Sequence, residues 1–160
     1  MLLSIDISIT STGYCIFSKG NLLKFGVIKT SSKLSLYDRL AYIEQELLEV
    51  LTNNNITHIV VEAPSYGSRG AMSYQLFGVH FSVVRLLSTK FKVSLLNISK
   101  IKKFATGNGR AKKPEMVEAL PNKVKVEFEK SGVKKSTGLY DLTDSYFIGK
   151  LWLHENKEIV

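Results

Sequence analysis

Apolar residues arrive along this chain in two kinds of run: short unbroken ones, and longer ones with gaps of three and four. Leu2-Leu3-Ser4-Ile5 is a short run that ends at Asp6 and predicts a buried strand. Two more strands are expected over 12–18 and 22–28, on either side of the hairpin-turn sequence Lys19-Gly20-Asn21. Over 35–51, Leu36, Leu40, Ile43, Leu47 and Leu51 recur at helical spacing with polar residues between. Asn53-Asn54-Asn55 is a loop, and the β-branched run 57–61 predicts a strand ending at Glu62. Pro64-Ser65-Tyr66-Gly67-Ser68-Arg69-Gly70 predicts a flexible connection. Residues 72–87 are apolar on almost every helical face, 91–96 predict a fifth strand, and 99–108 mix basic residues with glycine. Pro114 fits the first turn of a helix running to about Leu120. Residues 122–137 are charged without clean periodicity, and 138–153 read as a last helix.

Three strands joined by tight turns, then alternating strands and helices, predict an α/β fold: a mixed five-stranded sheet with helices on both faces. That is the element order of RNase H-like domains. With 160 residues and neither repeat nor linker, one domain spanning 1–160 is expected. A fold of this kind does not by itself name a function.

Composition narrows the class. No apolar run approaches the ~18 residues needed to span a bilayer, and the first residues lack the basic start of a signal peptide. A cytoplasmic protein without membrane contact is expected. The single cysteine, Cys15, excludes an internal disulfide and a multi-cysteine zinc site; its apolar surroundings predict a buried thiol. The net charge is +8, and residues 98–135 hold eleven Lys/Arg against four Glu. A block of this kind suits a polyanion, with nucleic acid the commonest, although a solvated lysine-rich face is the plain alternative.

Acidic residues stand at the ends of the predicted elements. Asp6 closes the first strand and Glu62 the fourth; if these strands are parallel neighbours, both carboxylates leave the same sheet edge, where open sheets place their sites. Asp141 and Asp144, three apart in the last helix, share one face. Four converging carboxylates repel one another, and a divalent cation relieves that repulsion. Oxygen-only ligands favour Mg2+, with Mn2+ able to substitute. Two such ions could activate water and stabilise the leaving oxygen of a phosphodiester. Taken singly, each carboxylate could equally be a turn, surface or helix N-terminal charge; the set of four carries the reading.

These residues resemble the RuvC family of Holliday-junction resolvases over most of the chain. The resemblance rests on Asp6 followed by Thr12-Gly13, on Glu62, on Asp141-x-x-Asp144, and on Gly107-Asn108-Gly109-Arg110-Ala111-Lys112-Lys113, which matches the family's Gly-x-Gly-x-Ala-x-Lys segment. It implies a Mg2+-dependent crossover junction endodeoxyribonuclease acting in DNA recombination and repair, with Asp6, Glu62, Asp141 and Asp144 as metal ligands and Lys113 at the scissile phosphate. The chain departs from the family pattern in two places. Ile7-Ser8 stands where Pro-Gly usually follows the first Asp, and Ser65 stands at the aromatic wedge position with Tyr66 beside it. Both departures resemble divergent, phage-type members.

Several segments add detail. Gly107 and Gly109 permit close approach of backbone to a phosphate, and Arg110, Lys112, Lys113, Lys102 and Lys103 are expected to track the DNA backbone. Tyr66 and Arg69 are candidates to touch bases or junction strands. The helix over 72–87 has apolar residues to spare; Gly78 and Ser82, four apart, would let a second copy approach, and a two-fold junction calls for two sites, so a homodimer is expected. His58, His80 and His154 show no ligand spacing and read as structural, and Trp152 as core. Three other readings stay open: a broader nuclease for flaps and forks, one half of an RNase H-like ATPase or sugar kinase, and a non-catalytic junction-binding module. The kinase reading leaves the Lys113 motif unexplained, and the binding module leaves the carboxylates unexplained.

Overall fold

A computed structural model describes residues 1–64 and 71–157, without the side chains of 71–73. Five strands form one sheet: β1 (Leu2–Asp6), β2 (Ser11–Ser18), β3 (Asn21–Lys29), β4 (His58–Glu62) and β5 (Lys92–Leu96), in the order β3-β2-β1-β4-β5. β1 and β2 pair antiparallel with Asp6 opposite Gly13, whereas β1 and β4 run parallel, as do β4 and β5. The β2–β3 turn places Lys19 and Gly20 at φ 48° and 77°, the left-handed pair that a two-residue hairpin needs.

The sheet separates two cores. On one face, α1 (Leu36–Thr52) and α2 (Ala71–Ser88) bury Ile43, Leu47, Val79, Val83 and Leu87 against Leu3, Ile5, Ile16, Ile59 and Val61. Ser35 caps α1, its hydroxyl accepting from the Asp38 N–H at 3.1 Å. On the other face lies α6 (Leu139–Glu155), whose residues from Leu142 to Leu153 are almost all buried. It is sheathed in turn by α3 (Ile98–Thr106), α4 (Lys113–Glu118) and α5 (Asn122–Lys130). A helix buried all round needs close approach and paired polar groups. Gly149 supplies the first: a Cβ there would stand 2.3 Å from the Phe17 ring. Ser4 supplies the second, donating to the Ser145 carbonyl at 2.7 Å.

Helices on both faces and five strands in a mixed sheet agree with the expectation, and the first and fourth strands are parallel neighbours, the condition set for their acids to share an edge. The Cys15 thiol is fully buried, Trp152 is core, and no helix among the described residues is long and apolar enough to cross a membrane. Two helices had no clear periodic signal. α3 buries only Ile101 and α5 only Val124 and Phe128, so their lysine-rich faces dominate the pattern. Gly107, expected as a point of backbone approach, ends α3 in the left-handed conformation (φ 80°). Gly109 sits where a Cβ would lie 3.1 Å from the Ser99 carbonyl.

Candidate active site

Asp6 is the last residue of the central strand, Glu62 the last of its parallel neighbour, and both lie at one edge of the sheet, partly buried. The first turns of α6 bring Asp141 and Asp144 to the same edge. Gly13 makes that meeting possible. Directly opposite Asp6 in the ladder, it has a site for Cβ only 2.3 Å from the Asp141 carbonyl oxygen. Any side chain there would push the helix start away from the strand. Gly13 is thus a packing requirement for the acidic cluster. Ser11 adds direction, its hydroxyl donating to Asp141 Oδ2 at 2.6 Å.

The electrostatics follow from burial and crowding. Burial first, then the charges of Asp144, Glu62 and Asp141, hold the Asp6 carboxyl well above the usual carboxylate range, and Lys113 partly offsets this. Burial and Asp144 raise Glu62 to about 7 against the pull of Lys102 and Lys113. Burial raises Asp144 to about 6; Lys113 and Lys102 oppose the shift and Asp141 reinforces it. Four acids and two lysines therefore feel one another across one cleft. Among the described residues, no three Asp, Glu, His or Cys groups close tightly enough to cage an ion. The two observations differ in range: a Mg–O bond needs about 2.1 Å, whereas charge acts over several times that distance. The arrangement is an acidic cleft rather than a finished cage. Its donor set, carboxylate oxygens only, fits a hard divalent cation.

Lys113, the first residue of α4, lies over the Tyr140 ring at 5.4 Å from its centroid, a contact that steers the ammonium toward the carboxylates. Lys102 on α3 joins it at the cleft. Lys103, Arg110 and Lys112 are exposed on the same α3–α4 segment, where the Lys112 N–H is taken up by Glu115 Oε2 at 2.7 Å. Tyr66 and Arg69 lie outside the described residues.

The structure adds contacts that the sequence pattern does not reveal. His80, read from sequence as structural, is buried on α2, with Nε2 2.8 Å from the Glu62 carbonyl oxygen at the end of β4 and Nδ1 without a partner among the described residues. Arg39 on α1 reaches back to the loop after β1, donating to the Ile9 carbonyl at 3.2 Å, to Thr10 Oγ1 at 3.1 Å and to Thr30 Oγ1 at 2.8 Å. No local motif announces these contacts, because each residue acts across elements distant in sequence.

The family model for the crossover junction endodeoxyribonuclease RuvC matches residues 2–130. The chain belongs to the RuvC family. Curated RuvC relatives include one from Ehrlichia ruminantium (strain Gardel), 28% identical with 90% of each chain covered. Another, from Orientia tsutsugamushi (strain Ikeda), is 32% identical over 75% of this chain and 79% of its own. Among solved structures, Thermus thermophilus RuvC superposes with a TM-score of 0.68 at 21% identity, covering 96% and 95% of the two chains. The yeast mitochondrial Holliday junction resolvase gives 0.66 at 17% identity, covering 95% and 77%. Both structures share the RNase H-like fold. The relatives named lend no support to a phage-type subgroup, which the Ile7-Ser8 and Ser65 departures had suggested. RuvC-family enzymes typically use Mg2+.

Proposed function

We propose that this chain is a single-domain resolvase that binds four-way DNA junctions and cuts them by metal-assisted phosphodiester hydrolysis. The observation that carries this reading is the meeting of Asp6, Glu62, Asp141 and Asp144 at one edge of the sheet, close enough to Lys113 for its charge to act on Asp6, Glu62 and Asp144, in a RuvC-family chain. Asp6, Glu62 and Asp144 would hold the cation directly, with Asp141, oriented by Ser11, completing the set. The chemistry that one or two Mg2+ ions, or Mn2+ in their place, would supply there is Lewis-acid help to an attacking water and to the leaving oxygen. Lys113 faces the scissile phosphate, where its charge offsets the extra negative charge of the transition state. Lys102, Lys103, Arg110 and Lys112, with the Gly107 and Gly109 backbone, follow the adjoining strand, and Tyr66 and Arg69 are assigned to contacts with bases or junction strands. The protein works in the cytoplasm, in the compartment that holds its DNA.

Paired cuts on symmetric strands call for two sites, and one chain carries one. We assign the contact to the outward stripe of α2. Tyr74 and Phe81 are 77% and 56% exposed there, and Gly78 is open to solvent. Ser82, named from sequence for this contact, leaves it by donating to Glu44 Oε1 of α1 at 3.1 Å, and Val79 beside Gly78 is buried in its own core.

The deciding experiment incubates the purified chain with labelled four-way junction, flap and linear duplex, with and without Mg2+. Paired nicking of the junction alone, dependent on Mg2+, is the expected result. Equal cutting of flaps would establish a broader branched-DNA nuclease, and binding without cutting would end the nuclease reading.

A further inference from the structure

A pocket of about 290 Å³ opens beside the acidic cleft, lined among others by Thr10, Lys29, Lys113, Lys135, Ser136 and Asp141. It shares Lys113 and Asp141 with the cleft, so a strand lying over the carboxylates passes across its mouth. Three lysines and one aspartate are among its lining residues, and this excess of positive charge favours an anion over a cation. The charges are also unspent. The one salt bridge among the described residues joins Lys100 to Glu155, and the Lys29 and Lys135 ammonium groups have no partner among them.

The hydroxyls divide into those already used and those still able to donate. Ser11 donates to Asp141, and Thr30 donates to the Ile9 carbonyl. Thr10 Oγ1 accepts from Arg39 and from no other side chain, which leaves its own proton free to donate outward. Ser136 Oγ has no partner among the described residues. Arg39 ties Thr10 and Thr30 to one another through α1, so one wall of the pocket is set before any ligand arrives. Such preorganisation reduces the ordering cost of binding.

We infer that Lys29 and Lys135, with the hydroxyls of Thr10 and Ser136, form a phosphate subsite for a DNA backbone phosphate next to the scissile one. This rests on the nuclease reading above and deepens it. Held at a second phosphate, the strand cannot slide along its axis, so the scissile phosphorus stays in register with the carboxylates. Lys29 ends β3 and Lys135 sits in a short 3-10 helix at Lys135–Thr137, on the side of the cleft away from α3. The strand is thus gripped from two sides.

Two measurements test this on the full chain. The first is the salt dependence of junction binding without divalent metal, for the wild type, Lys29→Gln/Lys135→Gln, and the control Lys19→Gln/Lys92→Gln. The double variant is expected to lose about 1 to 2 from the slope of log affinity against log salt, while the control keeps the wild-type slope. An unchanged slope in the double variant overturns the subsite, and so does an equal loss in the control. The second places an uncharged methylphosphonate in turn at each phosphate flanking the cut site. At one flank the wild type should bind about five- to tenfold more weakly, and the double variant should be indifferent. Equal sensitivity of both proteins at both flanks overturns the assignment. Mg2+-dependent cutting by the wild type is scored separately. Its failure would sink the nuclease reading and leave the slope measurement standing.

Discussion

At the scale of single residues, the acidic cleft couples protonation to metal and to stability. Glu62 and Asp144 titrate near 7 and 6 in the folded chain, above their ordinary values of 4.5 and 3.8. Between about pH 4 and 7 the folded state therefore binds more protons than the unfolded one. The metal-free protein should lose stability as pH rises through that window, because burial penalises the charged form. Mg2+ needs the deprotonated acids, so its stabilisation should grow in the same direction. Thermal unfolding with and without Mg2+ is expected to show a larger Tm increase at pH 8 than at pH 5.5; the reverse order would place the metal elsewhere. Asp6→Asn, Glu62→Gln and Asp144→Asn should each abolish most cleavage, by about a hundredfold or more on the scale of lost transition-state electrostatics, while junction binding persists in a gel-shift assay. All three acids could be found in the sequence because each directly ends a short apolar run or stands on a regular helix face. Arg39 could not, nor could the Glu62 carbonyl partner of His80, since a hydrogen bond to a distant carbonyl leaves no local trace.

Elements position these residues, and the most demanding contact is between β2 and α6. In an open strand, Gly→Ala would add roughly 0.5–1 kcal/mol of stability. At Gly13 the clash with the Asp141 carbonyl reverses the sign. Gly13→Ala should cost about 1–3 kcal/mol by overpacking and lower cleavage further than its loss of stability explains, which chemical denaturation and single-turnover cutting would separate. The strands and long helices were legible because their apolar spacing is strict. α3 and α5 were not, since one or two buried residues each cannot set a visible period. The Asn97 side chain that caps α3 at its start (accepting from the Ser99 N–H at 2.9 Å) and the left-handed Gly107 at its end were the better signals. α2 taught a different lesson. Its surplus of apolar residues was evident from sequence, but which face carried the surplus was not, because that depends on how α1 packs beside it. Phe81→Lys, on the exposed stripe, should convert a dimer to monomers in sedimentation at micromolar concentration while Mg2+ still raises the Tm; a wild-type monomer both free and on the junction would remove the dimer.

Over the whole molecule, the sheet keeps two helical layers of different surface character apart. One face carries α1 and α2, with the exposed apolar stripe; the other carries α6 under the basic α3–α5 layer. The carboxylates sit at the sheet edge between these two regions. Asp6 comes from the first strand and Asp144 from the last helix, so the cleft is built from opposite ends of the sequence. On a ribosome, that separation acts as a clock. The strand bearing Asp6 emerges well before the helix bearing Asp141 and Asp144, and the two can meet only once everything between them has been made. A chain that has not yet made α6 already carries Asp6 and Glu62 but lacks Asp141 and Asp144, so the four carboxylates cannot stand together until that helix docks on the sheet.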